Sequence, residues 1–257
     1  MLSDRLGFDL ITFQDHPYQP ALLDAWSLLA FVAAKTERAH VSANVTNLPL
    51  RQPVVIARSS VTIDQLSGGR FELGLGAGGF WDAIEAVGGR RLSPGDSVTA
   101  LEEAIRIIRA VWAVDEPGGV TVEGEFYRVR GAQRGPASPH PISISVGAYG
   151  PRMLRLTGRV ADGWVPSFGY LTSENALTDM NRRIDGGAES AGRAPADIRR
   201  WLNIGAADAT PERLVQLALL EGMSGFILAS DDATELERFA HEVIPAVRGQ
   251  VESARRH

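Results

Sequence analysis

The residues of this chain that could do chemistry gather just beyond the ends of its predicted strands. Asp15-His16-Pro17 follows the first strand, Asn44, Val45, Thr46 and Asn47 the second, and Gly76, Ala77, Gly78, Phe80 and Trp81 the third. Gly147-Ala148-Tyr149-Gly150-Pro151-Arg152 and Trp164 follow later ones. His16 suits a site that donates a hydrogen bond or a proton near neutral pH. Its bland alternative is a loop histidine bonding a backbone carbonyl. Asp15 and His16 are neighbours, so at most one of them points inward along an extended chain, and His16 is the expected one. The loop from Gly147 to Arg152 joins a strand to a helix. Its glycines expose backbone N–H groups, its helix N-terminus favours an anion, and Arg152 adds charge-assisted donors, which together suit a phosphate; turning alone is the competing reading. Phe80, Trp81 and Trp164 are candidates to line a substrate pocket, or else plain packing.

Other chemistries are poorly supplied. There is no cysteine, which removes disulfides, thiolate nucleophiles and sulfur-ligated metals. Lys35 is the only lysine and falls near the end of an amphipathic helix, a poor place for a Schiff base. His40 sits at a strand start, His140 in a proline-rich loop, His241 on a helix and His257 at the terminus, so no pair has metal-ligand spacing and no metal site is expected. With 257 residues, 44% hydrophobic and 22% charged, the composition is that of a globular chain. A net charge of −5 provides no basic stripe for nucleic acid, and no apolar run reaches membrane-spanning length. The N-terminus lacks an apolar signal core, so the expected location is the cytoplasm.

Strands and helices alternate throughout. Residues 8–13, 41–46, 70–76, 142–146, 163–166, 201–205 and 226–229 read as strands. Helices are expected over 22–34, 53–66, 97–112 (with Asp96 as N-cap), 151–157, 173–186, 211–221 and 234–247, and a hairpin over 120–130. The third strand is distinctive: Phe71, Leu73 and Leu75 form one face, whereas Glu72, Gly74 and Gly76 form the other. A strand interior gains nothing from glycine, so that empty face marks a close approach, by a flat ring or another backbone, and a ligand is the preferred reading. Alternating strands and helices imply a parallel sheet, and at this length a single-domain (β/α) TIM-type barrel spanning residues 1–257 is favoured over an open doubly wound sheet. The Rossmann fingerprint is missing after the first strand, where Gln14-Asp15-His16-Pro17 stands instead.

These motifs resemble the luciferase-like monooxygenase superfamily, flavin- or deazaflavin-dependent oxidoreductases on a TIM barrel. The resemblance covers nearly the whole chain. It rests on Leu6-Gly7-Phe8-Asp9 leading to Asp15-His16-Pro17, Thr36 to Arg38, Asn44-Val45-Thr46 and Arg51-Gln52-Pro53. Its most specific parts are Asp64-Gln65-Leu66-Ser67-Gly68-Gly69-Arg70-Phe71-Glu72-Leu73-Gly74-Leu75-Gly76-Ala77-Gly78 and Ala161-Asp162-Gly163-Trp164. The resemblance implies a cofactor ring near His16, Asn44, Val45, Thr46, Gly76, Ala77 and Gly78, with its phosphate end on Gly147, Ala148, Tyr149, Gly150 and Arg152. It also implies a non-prolyl cis peptide at the strand end corresponding to Asn44-Val45, and a homodimer. Members usually begin with a further strand and helix, so the expected barrel lacks its first strand and most of its first helix.

The resulting expectation is an oxidoreductase using coenzyme F420, with FMN as the near alternative. It would act on a small organic substrate by hydride transfer or oxygen activation, with His16 as the catalytic residue. Two readings from other classes stand beside it: a barrel without redox cofactor serving as a binding or structural protein, and a non-redox barrel enzyme for a phosphorylated substrate.

Overall fold

A computed structural model describes every residue of the chain except Glu174 and His257. In chain order the elements are α1 (Leu2–Arg5), β1 (Leu10–Phe13), α2 (Ala25–Lys35), β2 (His40–Ala43), β3 (Thr46–Asn47), α3 (Pro53–Ser67), β4 (Phe71–Gly76), α4 (Trp81–Ala86), α5 (Pro94–Trp112), β5 (Val120–Glu123) and β6 (Arg128–Ala132). They continue with β7 (Ile144–Gly147), α6 (Pro151–Val160), β8 (Gly163–Trp164), α7 (Ala176–Ser190), β9 (Arg199–Ile204), α8 (Pro211–Leu220), β10 (Gly225–Leu228), α9 (Ala233–Arg238) and α10 (Ile244–Arg255). The chain divides into two compact units, Ile11–Gly147 and Met1–Leu10 with Ala148–His257. Among the described residues, no helix is long and apolar enough to cross a membrane.

In the first unit the strands run in the order β1-β2-β4-β7, with β3 also on β4. The pairings of β4 with β2, β3 and β7 are all parallel. Phe71, Leu73 and Leu75 are fully buried, as their alternation requires. Pro53 opens α3, where its missing N–H costs nothing, and Gly68 ends it in the left-handed conformation at φ 71°. Ile56, Ala57, Ser60, Val61 and Asp64 form its buried stripe. The start of α5 corrects the expectation: Ser93, not Asp96, is the N-cap, its hydroxyl accepting from the Asp96 N–H at 3.2 Å with Pro94 in the first turn. The short helix α4 was missed because its single buried residue, Ile84, gives no periodic signal.

The β5–β6 hairpin forms where expected. Its turn is held from outside by Glu103 of α5, which accepts the backbone N–H groups of Glu125, Phe126 and Tyr127 at 2.7, 3.0 and 3.0 Å. The α3–α5 packing is fixed in part by Trp112, whose indole donates to the Ala57 carbonyl at 3.0 Å.

In the second unit β8, β9 and β10 pair in parallel order. Helices α6 and α7 press together through glycine. A Cβ on Gly158 would lie 2.0 Å from the Ile184 carbonyl oxygen, and one on Gly187 2.3 Å from that of Arg155. The final helix is not continuous as expected: a π-turn at Phe239–Val243 separates α9 from α10, where Pro245 offers no N–H to the preceding turn. A cavity of about 470 Å³ in this unit, lined by Phe8, Trp201, Phe226, Phe239 and Val243, contains none of the predicted site residues.

Candidate active site

The carboxyl ends of β2 and β4 are built around glycine. Between β2 and β3 the chain turns through a cis Asn44–Val45 peptide, as the resemblance implied. Strand β2 stops at Ala43, earlier than the uninterrupted strand expected to residue 46, and pairing with β4 resumes at β3. A Cβ on Gly74 would lie 2.0 Å from the Ala43 carbonyl oxygen, and one on Gly76 2.5 Å from Val45 Cγ2. The empty glycine face thus receives the protein's own turn, so the close approach foreseen at Gly74 is by backbone and not by a ligand. Ser42 bridges the gap: its hydroxyl accepts the Gly74 N–H at 3.1 Å and donates to the Ala43 carbonyl at 2.9 Å. Asn47 then lies opposite Gly76, which on its other side lies opposite Gly147. Ala77 is buried, and Gly78, at φ 98°, leaves space taken by Trp81 and Pro49.

The Asp15-His16 pair divides its work. Asp15 is 1% exposed, and its Oδ2 accepts the Asn47 N–H at 3.0 Å and faces Arg51 Nε at 3.4 Å. It points into the protein and anchors β3, the inward place foreseen for His16. His16 is half-buried among rings, stacked on Tyr18 at 5.3 Å between centroids and set edge-on to Phe80 at 5.3 Å. Burial holds its pKa below the usual histidine value, with the Asp15 charge partly opposing. Burial and the Asp15 charge raise the Tyr18 phenol, against a hydrogen bond with Asn47. Phe80 remains 52% exposed, so the ring cluster has an open side.

Three buried oxygens here have no hydrogen-bond partner: Thr46 Oγ1, Asn47 Oδ1 and Asp15 Oδ1. Buried polar atoms are ordinarily paired, and those left over at a strand end beside glycines suit the polar edge of a bound ring. Asn44 lies alongside, its N–H bonded to the Phe13 carbonyl at 2.8 Å and its amide 3.5 Å from Thr12 Oγ1. On a donor and acceptor basis these residues fit a flavin-type ring.

In the second unit the loop after β7 opens α6 with Gly150 as N-cap and Pro151 in the first turn. No side chain caps this helix, and nothing lies within 4 Å of a Cβ position on Gly150, so its first N–H groups remain approachable. Tyr149 is held by its hydroxyl, which accepts the Ser167 N–H at 2.7 Å, and by Tyr170 edge-on at 5.8 Å. Burial raises its pKa, the Ser167 contacts opposing. Arg152 is exposed beside the helix start. Trp164 corrects the expectation of a pocket wall. It is fully buried, and its indole donates to the Ala148 carbonyl at 2.9 Å, supporting the loop from within.

The fold also gathers residues that spacing had kept apart. His40 and His140 meet with ring centroids 5.9 Å apart, both beside Glu72. The terminal His257 lies outside the described residues. Sequence reasoning also passed over Arg70, whose guanidinium donates to the carbonyls of Ala33, Thr36, Ala39 and Ser67 and to Thr36 Oγ1, all at 2.7–2.9 Å. A lone arginine after two glycines gives no warning that it clamps the end of α2.

Comparison with known proteins places these features in a family. The luciferase-like monooxygenase family model matches residues 2–254. An F420-dependent glucose-6-phosphate dehydrogenase of Kribbella flavida is 30% identical over 94% of this chain and 74% of its own length. One from Kineococcus radiotolerans is 32% identical over 79% of this chain, which spans only 60% of that relative. Among solved structures, an F420-dependent secondary alcohol dehydrogenase in complex with an F420-acetone adduct superposes with a TM-score of 0.83 at 18% identity, covering 96% of this chain and 92% of the other. A long-chain alkane monooxygenase gives 0.81 at 14% identity, covering 97% and 82%. The fold is the TIM-type barrel of these enzymes, and the chain belongs to the luciferase-like monooxygenase family.

Proposed function

We propose that this chain is an oxidoreductase that uses coenzyme F420 to reduce or oxidise a small organic substrate. The observation that carries the proposal is the set of unpartnered buried oxygens, Thr46 Oγ1 and Asn47 Oδ1, on the strand end that also presents Gly76 and lies beside the His16 ring cluster. The F420-dependent relatives favour this coenzyme over FMN.

Asn44, Val45, Thr46, Gly76, Ala77 and Gly78 would hold the ring; Gly147, Ala148, Tyr149, Gly150 and Arg152 would hold the phosphate end. Bound F420 supplies a two-electron hydride couple. The chain supplies the rest. His16, kept neutral at neutral pH by burial, carries one ring N–H and one lone pair, so it can donate a hydrogen bond or receive a proton at the substrate oxygen. Its stacking on Tyr18 and edge contact with Phe80 fix the imidazole plane, and the exposed Phe80 with the half-buried Trp81 serves as the apolar wall for the substrate. A homodimer is expected for the assembly, on family resemblance.

The test is a titration of the purified protein with F420 and, separately, FMN, followed by cofactor fluorescence. Saturable micromolar binding of F420, tighter than FMN, is the expected result. Tighter FMN binding reassigns the cofactor, and no micromolar binding of either overturns the proposal.

A further inference from the structure

At the opposite end of the same strands lies a second cluster, which the proposed redox site does not use. His40 is the first residue of β2 and Glu72 the second of β4, so their places precede Ala43 and Gly76 by three and four residues, roughly 10–13 Å along a strand. His140 joins them from the segment leading into β7. We propose that His40, Glu72 and His140 form a binding site for a divalent transition metal of the zinc class, independent of the redox cofactor.

The ligand atoms are already spaced for it. His40 Nδ1 lies 3.4 Å from Glu72 Oε1, and His140 Nε2 lies 3.7 Å from the same oxygen. Donors about 2.0–2.1 Å from a tetrahedral metal stand about 3.4 Å from one another, so only small adjustments separate this arrangement from a coordination shell. The three residues can each offer an atom within 4.8 Å of the others. The two imidazole planes are nearly perpendicular, at 84°, so the histidines approach from different directions.

The nitrogens also lack other employment. His40 Nδ1 and both ring nitrogens of His140 are buried and complete no hydrogen bond. The nearest acceptor to His140 Nδ1 is Asp64 Oδ1, at 2.8 Å as an ion-pair contact. That contact has the form of the outer carboxylate that orients a metal-binding imidazole and leaves Nε2 for the metal. Asp64 is itself fixed, fully buried and accepting the Phe71 N–H at 3.0 Å and the Ser138 hydroxyl. Ser143 holds the other side of the Glu72 carboxylate, its N–H donating to Glu72 Oε2 at 3.0 Å and its hydroxyl to the same oxygen, so Oε1 is left facing both imidazoles. His40, 36% exposed, leaves an entry path and a fourth position for water. Two imidazoles and a carboxylate match the donor set of zinc rather than of calcium or magnesium, which prefer oxygen.

The experiment is Zn²⁺ titration of chelator-treated protein against a chromophoric competitor at neutral pH, repeated on His40→Asn and His140→Asn. The expected result is one equivalent of Zn²⁺ bound by the unaltered protein, an affinity about 100-fold weaker or worse in each variant that folds, and F420 binding unchanged in both. Co²⁺ in the unaltered protein should show the intense visible bands of a tetrahedral site, a readout independent of any variant. Absence of stoichiometric uptake, equal affinity in a folded variant, or only weak octahedral Co²⁺ bands would overturn the proposal. Because F420 binding is read separately, failure of the metal site is distinguishable from failure of the redox assignment.

Discussion

The carbonyl oxygen of Ala43 occupies the space that a side chain on Gly74 would need, 2.0 Å from its Cβ position. That oxygen is backbone and also accepts from Ser42, so it cannot swing aside as a long side chain would. Gly74→Ala must therefore push β2 away from β4 or fail to fold. Overpacking of this kind costs about 3 kcal/mol, measurable by urea denaturation. Gly79→Ala, at a position with nothing within 4 Å, should change stability by less than about 0.5 kcal/mol and serves as the control.

Arg70 and Thr36 form the second relationship open to test. Arg70 donates to Thr36 Oγ1 and to its carbonyl, both at 2.9 Å, and to three further carbonyls. A lysine carries the charge but not the planar fork, so Arg70→Lys should recover little of what Arg70→Ala loses. Leaving several carbonyls at the end of α2 unpaired should cost about 3 kcal/mol or more in either variant. A lysine variant as stable as the native chain would show that charge alone sufficed.

These two sites mark the boundary of what could be read from the sequence. The alternation of strand and helix and the buried Phe71, Leu73 and Leu75 are local consequences of periodicity, and they were legible. The glycine face at Gly74 and Gly76 was legible as a close approach, but what approaches depends on how β2 ends, a non-local fact. Asp15 and His16 exchanged their expected orientations because Asp15 finds the Asn47 N–H and Arg51, both distant in sequence. The meeting of His40 with His140 was invisible for the same reason: ligand spacing along the chain describes helices and loops, whereas here two strands and a proline-rich segment bring the imidazoles together.

Glu103 and the β5–β6 turn give a third prediction. One carboxylate accepts three backbone N–H groups, so Glu103→Ala leaves those donors without their charged partner and should cost about 2–4 kcal/mol, with faster hydrogen exchange at residues 125–127. The neighbouring Tyr127 provides a second readout. Burial, reinforced by the Glu103 charge and opposed by Arg90, pushes its pKa up to about 12. Removing that charge in Glu103→Gln should lower the tyrosinate transition while leaving it above the ordinary value of about 10, because burial remains. The native state binds the phenolic proton more tightly than the unfolded chain. Its contribution to stability is therefore complete below pH about 10 and is lost as pH rises toward 12.

His16 titrates in the opposite sense. Burial lowers its pKa below that of the unfolded chain, so between the two values the native state binds fewer protons. The stability it contributes is present above the unfolded value of about 6.5 and is lost as pH falls through the folded one. Asp15 partly restrains the shift, so Asp15→Asn should lower the His16 pKa further, a change visible in the imidazole proton resonances. Asp15→Asn also weakens the hold on the Asn47 N–H, so the resonance shift is read in protein shown to be folded. In the enzyme, His16→Asn should retain F420 binding within a few-fold and lower kcat by about 100-fold or more, the usual scale for a lost proton-transfer group. The acidic limb of the native kcat profile should follow the His16 pKa and disappear in the variant. Turnover at the native rate with that limb intact would remove His16 from the reaction and return it to the ring cluster as packing.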